Sequence, residues 1–226
     1  MHKVRLYFIR PEKTASWQPD EERLVQMLAA LPAGKKAAVE QLVQQADRAA
    51  SLLGLLLLEK IARDEDIAGF RLADLCYPQA GKPYWCNSPA ADFDFNISHS
   101  SGLVLAAAST SLKLGVDAEK IRPLRSLRFD RIMTAAELKS IEKTPERFFE
   151  LWSQKEAVVK AADTKGISRM SDVELAGDRA VLDGTGWYLA ELASRMQCAQ
   201  DYAVHLATSV PADKIVIREI SPDMFT

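Results

Sequence analysis

The stretch LGVDAEK, residues 114–120, decides how the second half of the chain is built. Read as a β-strand, its side chains repeat every two residues, so Asp117 and Glu119 point to the same side. Two carboxylates side by side repel, and a purely structural strand has no use for them. The pair asks for a partner on that face.

Just before it, DFDFNISHS (92–100) and LVLAAAS (103–109) are strand-like and separated by Ser/Gly or Ser/Lys breaks. Just after it, TAAELKSIEK opens with Thr134 and places Glu137 three residues on, the spacing of a capping box and a short helix. PERFFELWSQKEAVVKAADTKG, with Pro145 in its first turn and Gly166 at its end, predicts a second helix. VELAG, RAVLD, GWYLAELA, YAVHLATS and KIVIREI then follow as short strands with Gly or Asp turns.

Farther upstream, VRLYFI (4–9) alternates as a first strand closed by Pro11. Apolar residues at helical spacing from Val39 to Ile61 predict one long helix over 34–63, interrupted near Gly54. YPQAGKPYWCNSPA is dense in Pro, Gly, Asn and Ser and marks a loop or hairpin. Strand, helix, strands are thus followed by strands, helix, strands. The expected fold is α+β, two sheet-plus-helix lobes over 1–111 and 112–226.

Composition narrows the function classes. The 226 residues are 48% hydrophobic and 27% charged, which suits a globular protein with a sizeable core. A net charge of −2 offers no global basic field, so nucleic acid is not an expected partner. MHKVRLYFIRPEK lacks the apolar core of a signal peptide, and LLGLLLLEK is too short to span a bilayer, so no membrane association is expected. Three cysteines without a C-x-x-C pair argue against a disulfide framework or a zinc site, and place the expected home in a reducing cytoplasm.

Three constellations carry candidate chemistry. On the helix after Pro145, Trp152, Glu156 and Lys160 are spaced i, i+4, i+8 and line one stripe, flanked by Lys155. Alone this is an exposed ion pair beside a core tryptophan. Facing Asp117 and Glu119 it becomes a three-carboxylate site for a hard divalent cation, with lysines to neutralise phosphate. In FNISHSSG (95–102), Ser98 and His99 sit where a strand gives way to a turn, either a capped turn or an anion-binding one. In AGKPYW (80–85), Gly81 permits close backbone approach and Lys82 offers charge, but the phosphate-loop pattern is missing.

Together, GKP (81–83), FNISHS (95–100), GVDAE (115–119) and WSQKEAVVKA (152–161) resemble the large, monomeric, surfactin-synthetase-activating type of 4′-phosphopantetheinyl transferase. The resemblance covers about residues 45–170. It implies a pseudo-twofold pair of lobes with coenzyme A in the cleft between them. It also implies transfer of the phosphopantetheine arm to a serine of an apo acyl, peptidyl or aryl carrier protein, with release of 3′,5′-ADP. Asp117, Glu119 and Glu156 are implied as Mg²⁺ ligands, Lys155 and Lys160 as pyrophosphate contacts, and Glu156 and Lys160 as the catalytic base and the group neutralising the leaving phosphate. Ser98 and His99 are implied at the phosphates, and Gly81, Lys82 and Pro83 at the adenine.

The chain departs from the family at the 3′-phosphate. Ala50 precedes Ser51 where a basic residue is usual, which leaves Arg48, Lys35 or Lys36 for that contact. EKIRPLRSLRFDR clusters Lys120, Arg122, Arg125, Arg128 and Arg131, either a solvated loop or a docking surface for an acidic carrier. A non-catalytic binding module and a metal-dependent nucleotide hydrolase are the competing classes. They are separated by turnover with a carrier and by phosphate release without one.

Overall fold

The computed structural model describes residues 1–79, 81–86, 88–89, 92–124, 129–164, 166–198 and 200–225. The chain forms two compact units, Met1–Leu112 with Ala212–Thr226, and Lys113–Pro211.

The first unit opens with β1 (Lys3–Ile9) and continues through α1 (Pro11–Ser16), α2 (Glu21–Ala29), α3 (Ala33–Glu40) and α4 (Gln45–Asp64). The short strands β2 (Leu75–Cys76) and β3 (Tyr84–Trp85) pair with each other, and β4 (Asp94–Ser100) and β5 (Leu103–Ser109) form a hairpin. The β4–β5 turn holds Ser101 and Gly102 at φ of 45° and 88°, the doubly left-handed pair that matches the twist of a two-residue hairpin. Tyr7 and Ile9 of β1, Val104 and Ala106 of β5 and Phe95 of β4 share one core with Leu53, Leu57 and Ile61 of α4. Gly54 lets the helix approach closely, since a Cβ there would stand 2.6 Å from Ile97 Cγ2.

The second unit starts at β6 (Leu114–Lys120), followed by α5 (Ala135–Lys143), α6 (Arg147–Ala161) and α7 (Ile167–Met170). β7 (Glu174–Ala176), β8 (Arg179–Leu182), β9 (Thr185–Glu191) and β10 (Tyr202–Thr208) complete an antiparallel sheet ordered β6-β10-β9-β8-β7. α6 packs across β6 and β10. The expected capping box is present: Thr134 accepts from Glu137 N while the Glu137 carboxylate accepts from Thr134 N.

The last strand, β11 (Lys214–Glu219), runs parallel to β1, so the first unit's sheet reads β11-β1-β5-β4. This corrects the expected second lobe of 112–226. Its C-terminal residues lie on β1, where Glu219 pairs with Arg10 at 2.9 Å and Lys13 at 2.5 Å.

Two further expectations are corrected. The helix over 34–63 breaks at 41–44 and not at Gly54, because the Arg48 side chain turns back to the carbonyls of Glu40 and Leu42 (3.2 and 3.1 Å) and satisfies the end of α3. Val43, counted in the apolar stripe, is 93% exposed in that break. Cys76 and Cys86 form a disulfide with Cα atoms 5.7 Å apart, because the β2–β3 pairing brings together cysteines ten positions apart. The cysteine count therefore gives no indication of compartment. Among the described residues, no helix is long and apolar enough to cross a membrane.

Candidate active site

On β6, alternation sends Gly115, Asp117 and Glu119 to the face that α6 covers. Gly115 sets the approach: a Cβ there would lie 2.2 Å from Ala157 O and 2.3 Å from Ala161 N, so the helix backbone rests directly on the strand. One turn away on α6, Glu156 meets the strand carboxylates. Ligand atoms of Asp117, Glu119 and Glu156 all lie within 4.8 Å of one another. The two halves of this cluster come from local periodicities, two on the strand and about 3.6 on the helix.

The electrostatics are those of an under-neutralised acidic cluster. Lys160 Nζ pairs with Asp117 Oδ1 at 2.6 Å and with Glu156 Oε1 at 3.4 Å. Burial alone would lower its pKa, but the carboxylates of Asp117 and Glu156 outweigh it and hold the ammonium above its ordinary value. Burial, then Asp117 and Glu156, push Glu119 up to about 7 against the opposing pull of Lys160 and Arg122. Trp152 Nε1 donates to Glu156 Oε2 at 2.9 Å, fixing that carboxylate's orientation. Two carboxylates from the strand and one from the helix make an all-oxygen donor set that fits Mg²⁺ or a similar hard cation.

Beside Glu119 a groove of about 710 Å³ is lined by Arg122, Pro123, Leu124, Phe129, Phe148, Phe149 and Trp152. Its lining is mostly apolar and aromatic, with Glu119 and Arg122 as its charged residues.

Lys155 is not part of this cluster. Adjacent helix residues point about 100° apart, and Lys155 is fully buried, donating to Val173 O at 3.1 Å and pairing with Glu137 Oε1 at 3.1 Å. It ties α6 to the start of α5 and to the segment after α7. Its expected role at pyrophosphate is therefore withdrawn.

The other expected site residues lie in the first unit. Ser98 is buried and His99 exposed on β4, as strand alternation requires, with the turn beginning only after Ser100. Gly81 adopts φ of 89°, which favours glycine, and Lys82 is buried in an ion pair with Asp94 at 2.6 Å. Pro83 is partly exposed. Arg48 Nη2 donates to the carbonyls of Glu40 at 3.2 Å and Leu42 at 3.1 Å. Lys35 instead donates to Ser51 Oγ at 2.9 Å and lies 5.7 Å from the Tyr77 ring centre. Burial lowers its pKa, and among the described residues no carboxylate pairs with it. Of the basic cluster after β6, Arg122 and Arg131 are exposed and Lys120 pairs with Asp201 at 2.7 Å. Arg125 and Arg128 lie outside the described residues.

Three partners carry no local sequence signal: Asp94 for Lys82, Glu137 for Lys155 and His205, discussed below. Trp152 did carry one, its i, i+4 spacing to Glu156.

Comparison with known proteins identifies the family. Residues 15–111 match the family model described as 4′-phosphopantetheinyl transferase, N-terminal, and residues 113–207 match that of the 4′-phosphopantetheinyl transferase superfamily. A 4′-phosphopantetheinyl transferase of Bacillus subtilis is 33% identical over 150 residues, 63% of this chain and 64% of that protein. The 4′-phosphopantetheinyl transferase HetI of Nostoc sp. is 31% identical over 140 residues, 57% and 59% of the two chains. The L-aminoadipate-semialdehyde dehydrogenase-phosphopantetheinyl transferase of Schizosaccharomyces pombe is 25% identical over 179 residues, 70% and 69%. The chain thus spans about three fifths of the length of the first two relatives. With two adjoining models covering most of its length, the chain belongs to the 4′-phosphopantetheinyl transferase superfamily.

Proposed function

We propose that the protein transfers the 4′-phosphopantetheine arm of coenzyme A to a serine of an apo carrier protein, releasing 3′,5′-ADP. The observation that carries this reading is the convergence of Asp117, Glu119 and Glu156 with Lys160 on one face of β6.

Asp117, Glu119 and Glu156 are assigned to hold Mg²⁺, which when bound would neutralise charge on the pyrophosphate. Lys160, held above its ordinary pKa, stays an ammonium and stabilises the leaving phosphate. Glu156, which accepts from Trp152 Nε1, is assigned to take the serine proton directly or through water. The groove beside Glu119 has the size and apolar lining for the pantetheine arm.

Ser98 and His99 are assigned to the phosphates, and the Gly81–Pro83 segment, stiffened by the Lys82–Asp94 pair, to the adenine. Lys35 with Ser51 replaces Arg48 as the assigned 3′-phosphate contact, since it is a half-buried cation with no carboxylate on it among the described residues. A pseudo-twofold pairing of the lobes around coenzyme A, a monomer, a cytoplasmic setting and a docking role for exposed Arg122 and Arg131 toward an acidic carrier complete the reading.

The test is incubation with coenzyme A, Mg²⁺ and a panel of apo carriers, followed by intact-protein mass. The expected result is a gain of one phosphopantetheine on at least one carrier, abolished by Glu156→Gln in a protein that still melts cooperatively. No gain on any carrier overturns the proposal.

A further inference from the structure

A buried histidine far along the chain stands beside the carboxylate cluster and takes no part in the roles assigned above. His205 lies on β10 directly opposite Asp117 on β6, so the two side chains share the face that α6 covers. It is 4% exposed. Its Nδ1 is 2.7 Å from Ser153 Oγ and its Nε2 is 3.4 Å from Gln154 Nε2, both on α6.

One arrangement of protons satisfies every contact as placed. With the Ser153 hydroxyl proton on Glu150 O at 3.1 Å, Nδ1–H donates to Ser153 Oγ. In the same arrangement Gln154 Nε2 donates and His205 Nε2 accepts. A neutral imidazole with its proton on Nδ1 satisfies all three contacts. A doubly protonated ring would face the Gln154 donor with another donor. Burial lowers the His205 pKa to about 4 and agrees with this, outweighing the upward pull of Glu191; Arg147 pushes it lower.

The position of these contacts gives them a purpose. Among the contacts of α6 with the sheet, Ser153 and Gln154 meet His205, and Ala157 and Ala161 meet Gly115. Glu156 lies between these two points. We propose that His205 is a positioning residue: by anchoring Ser153 to the strand that pairs with β6, it fixes the height of α6 so that Glu156 meets Asp117 and Glu119. The inference rests on the cation-dependent reading of that cluster. Neutral imidazole serves this purpose because it both donates and accepts without adding charge beside the site.

The experiment measures Mn²⁺ binding to the coenzyme-free protein by calorimetry, alongside kcat and coenzyme A KM for transfer. His205→Ala should weaken Mn²⁺ binding by about 10- to 100-fold, as loss of a group supporting metal ligands does, and should lower kcat while leaving KM within about twofold. His205→Asn, whose amide can reach Ser153 as Nδ1 does, should restore most of both. Ser153→Ala should reproduce the loss, and the double variant should be no worse than either single one. A His205→Ala protein that binds Mn²⁺ like the parent overturns the inference, even if it melts earlier. So does a loss that Asn fails to rescue, or one that adds fully to Ser153→Ala. A parent protein that neither binds Mn²⁺ nor transfers overturns the functional reading first, and this inference with it. A working parent with an indifferent His205→Ala variant overturns the inference alone.

Discussion

Glu119 is the residue on which the balance of the carboxylate cluster turns. Its folded pKa of about 7 stands above the ordinary 4.5 because it is buried beside Asp117 and Glu156. Between those two values the folded chain holds a proton that the unfolded chain has released. Ionisation therefore costs stability as pH rises through the window. Metal-free protein should lose melting temperature from about pH 5 to about pH 7, and Glu119→Gln should flatten that part of the profile. A divalent cation should reverse the trend, so the gain on adding Mg²⁺ should be larger at about pH 8 than at about pH 6. Thermal melts with and without Mg²⁺ check this, and equal gains at both pH values would remove Glu119 from the cation site. Asp117, Glu119, Glu156 and Lys160 were legible in the sequence because strand and helix periods are local rules. Lys155 was misplaced by the same local view, since its fully buried position depends on Glu137 and Val173. His205 was invisible, because only the β6–β10 register puts it opposite Asp117.

At the scale of elements, the site is a strand and a helix in backbone contact. Gly115 is the position that permits it, and not for any left-handed backbone but for lack of a Cβ. Gly115→Ala would drive a methyl into Ala157 O and Ala161 N, atoms of helix backbone that cannot rotate away. The expected cost is about 3 kcal/mol or more, with transfer lost in whatever protein remains folded. Chemical denaturation paired with the mass assay measures both, and a stable, active Gly115→Ala protein would show that α6 rides higher than described. Most strands and the capped helix α5 were readable from alternation and from the Thr134–Glu137 spacing. The α3–α4 break was not, because Arg48 caps α3 from within the next helix and leaves no proline or glycine to mark it. The Cys76–Cys86 bond was missed for a related reason: hairpin pairing, not spacing, makes them neighbours.

For the whole molecule, the decisive feature is that the first unit is built from two separated segments, 1–112 and 212–226. The family match stops at residue 207, yet Lys214–Glu219 adds a strand along β1, and Ile220 and Phe225 enter the core with Leu53 and Leu57. Removal of residues 212–226 should therefore destabilise the first unit and expose the β1 edge to pairing with other chains. Lower melting temperature and concentration-dependent association on sizing columns are the expected readouts; an unchanged monomer would contradict the topology. The same topology orders events during synthesis. β1 is made before β11, its parallel neighbour, and the entire second unit separates the two. The second unit can close on itself beforehand, whereas the first must wait for residues 212–226. The nascent chain thus carries an unfinished β1 edge until β11 is made, and a stall before residue 214 would leave that edge as the place where misassembly starts.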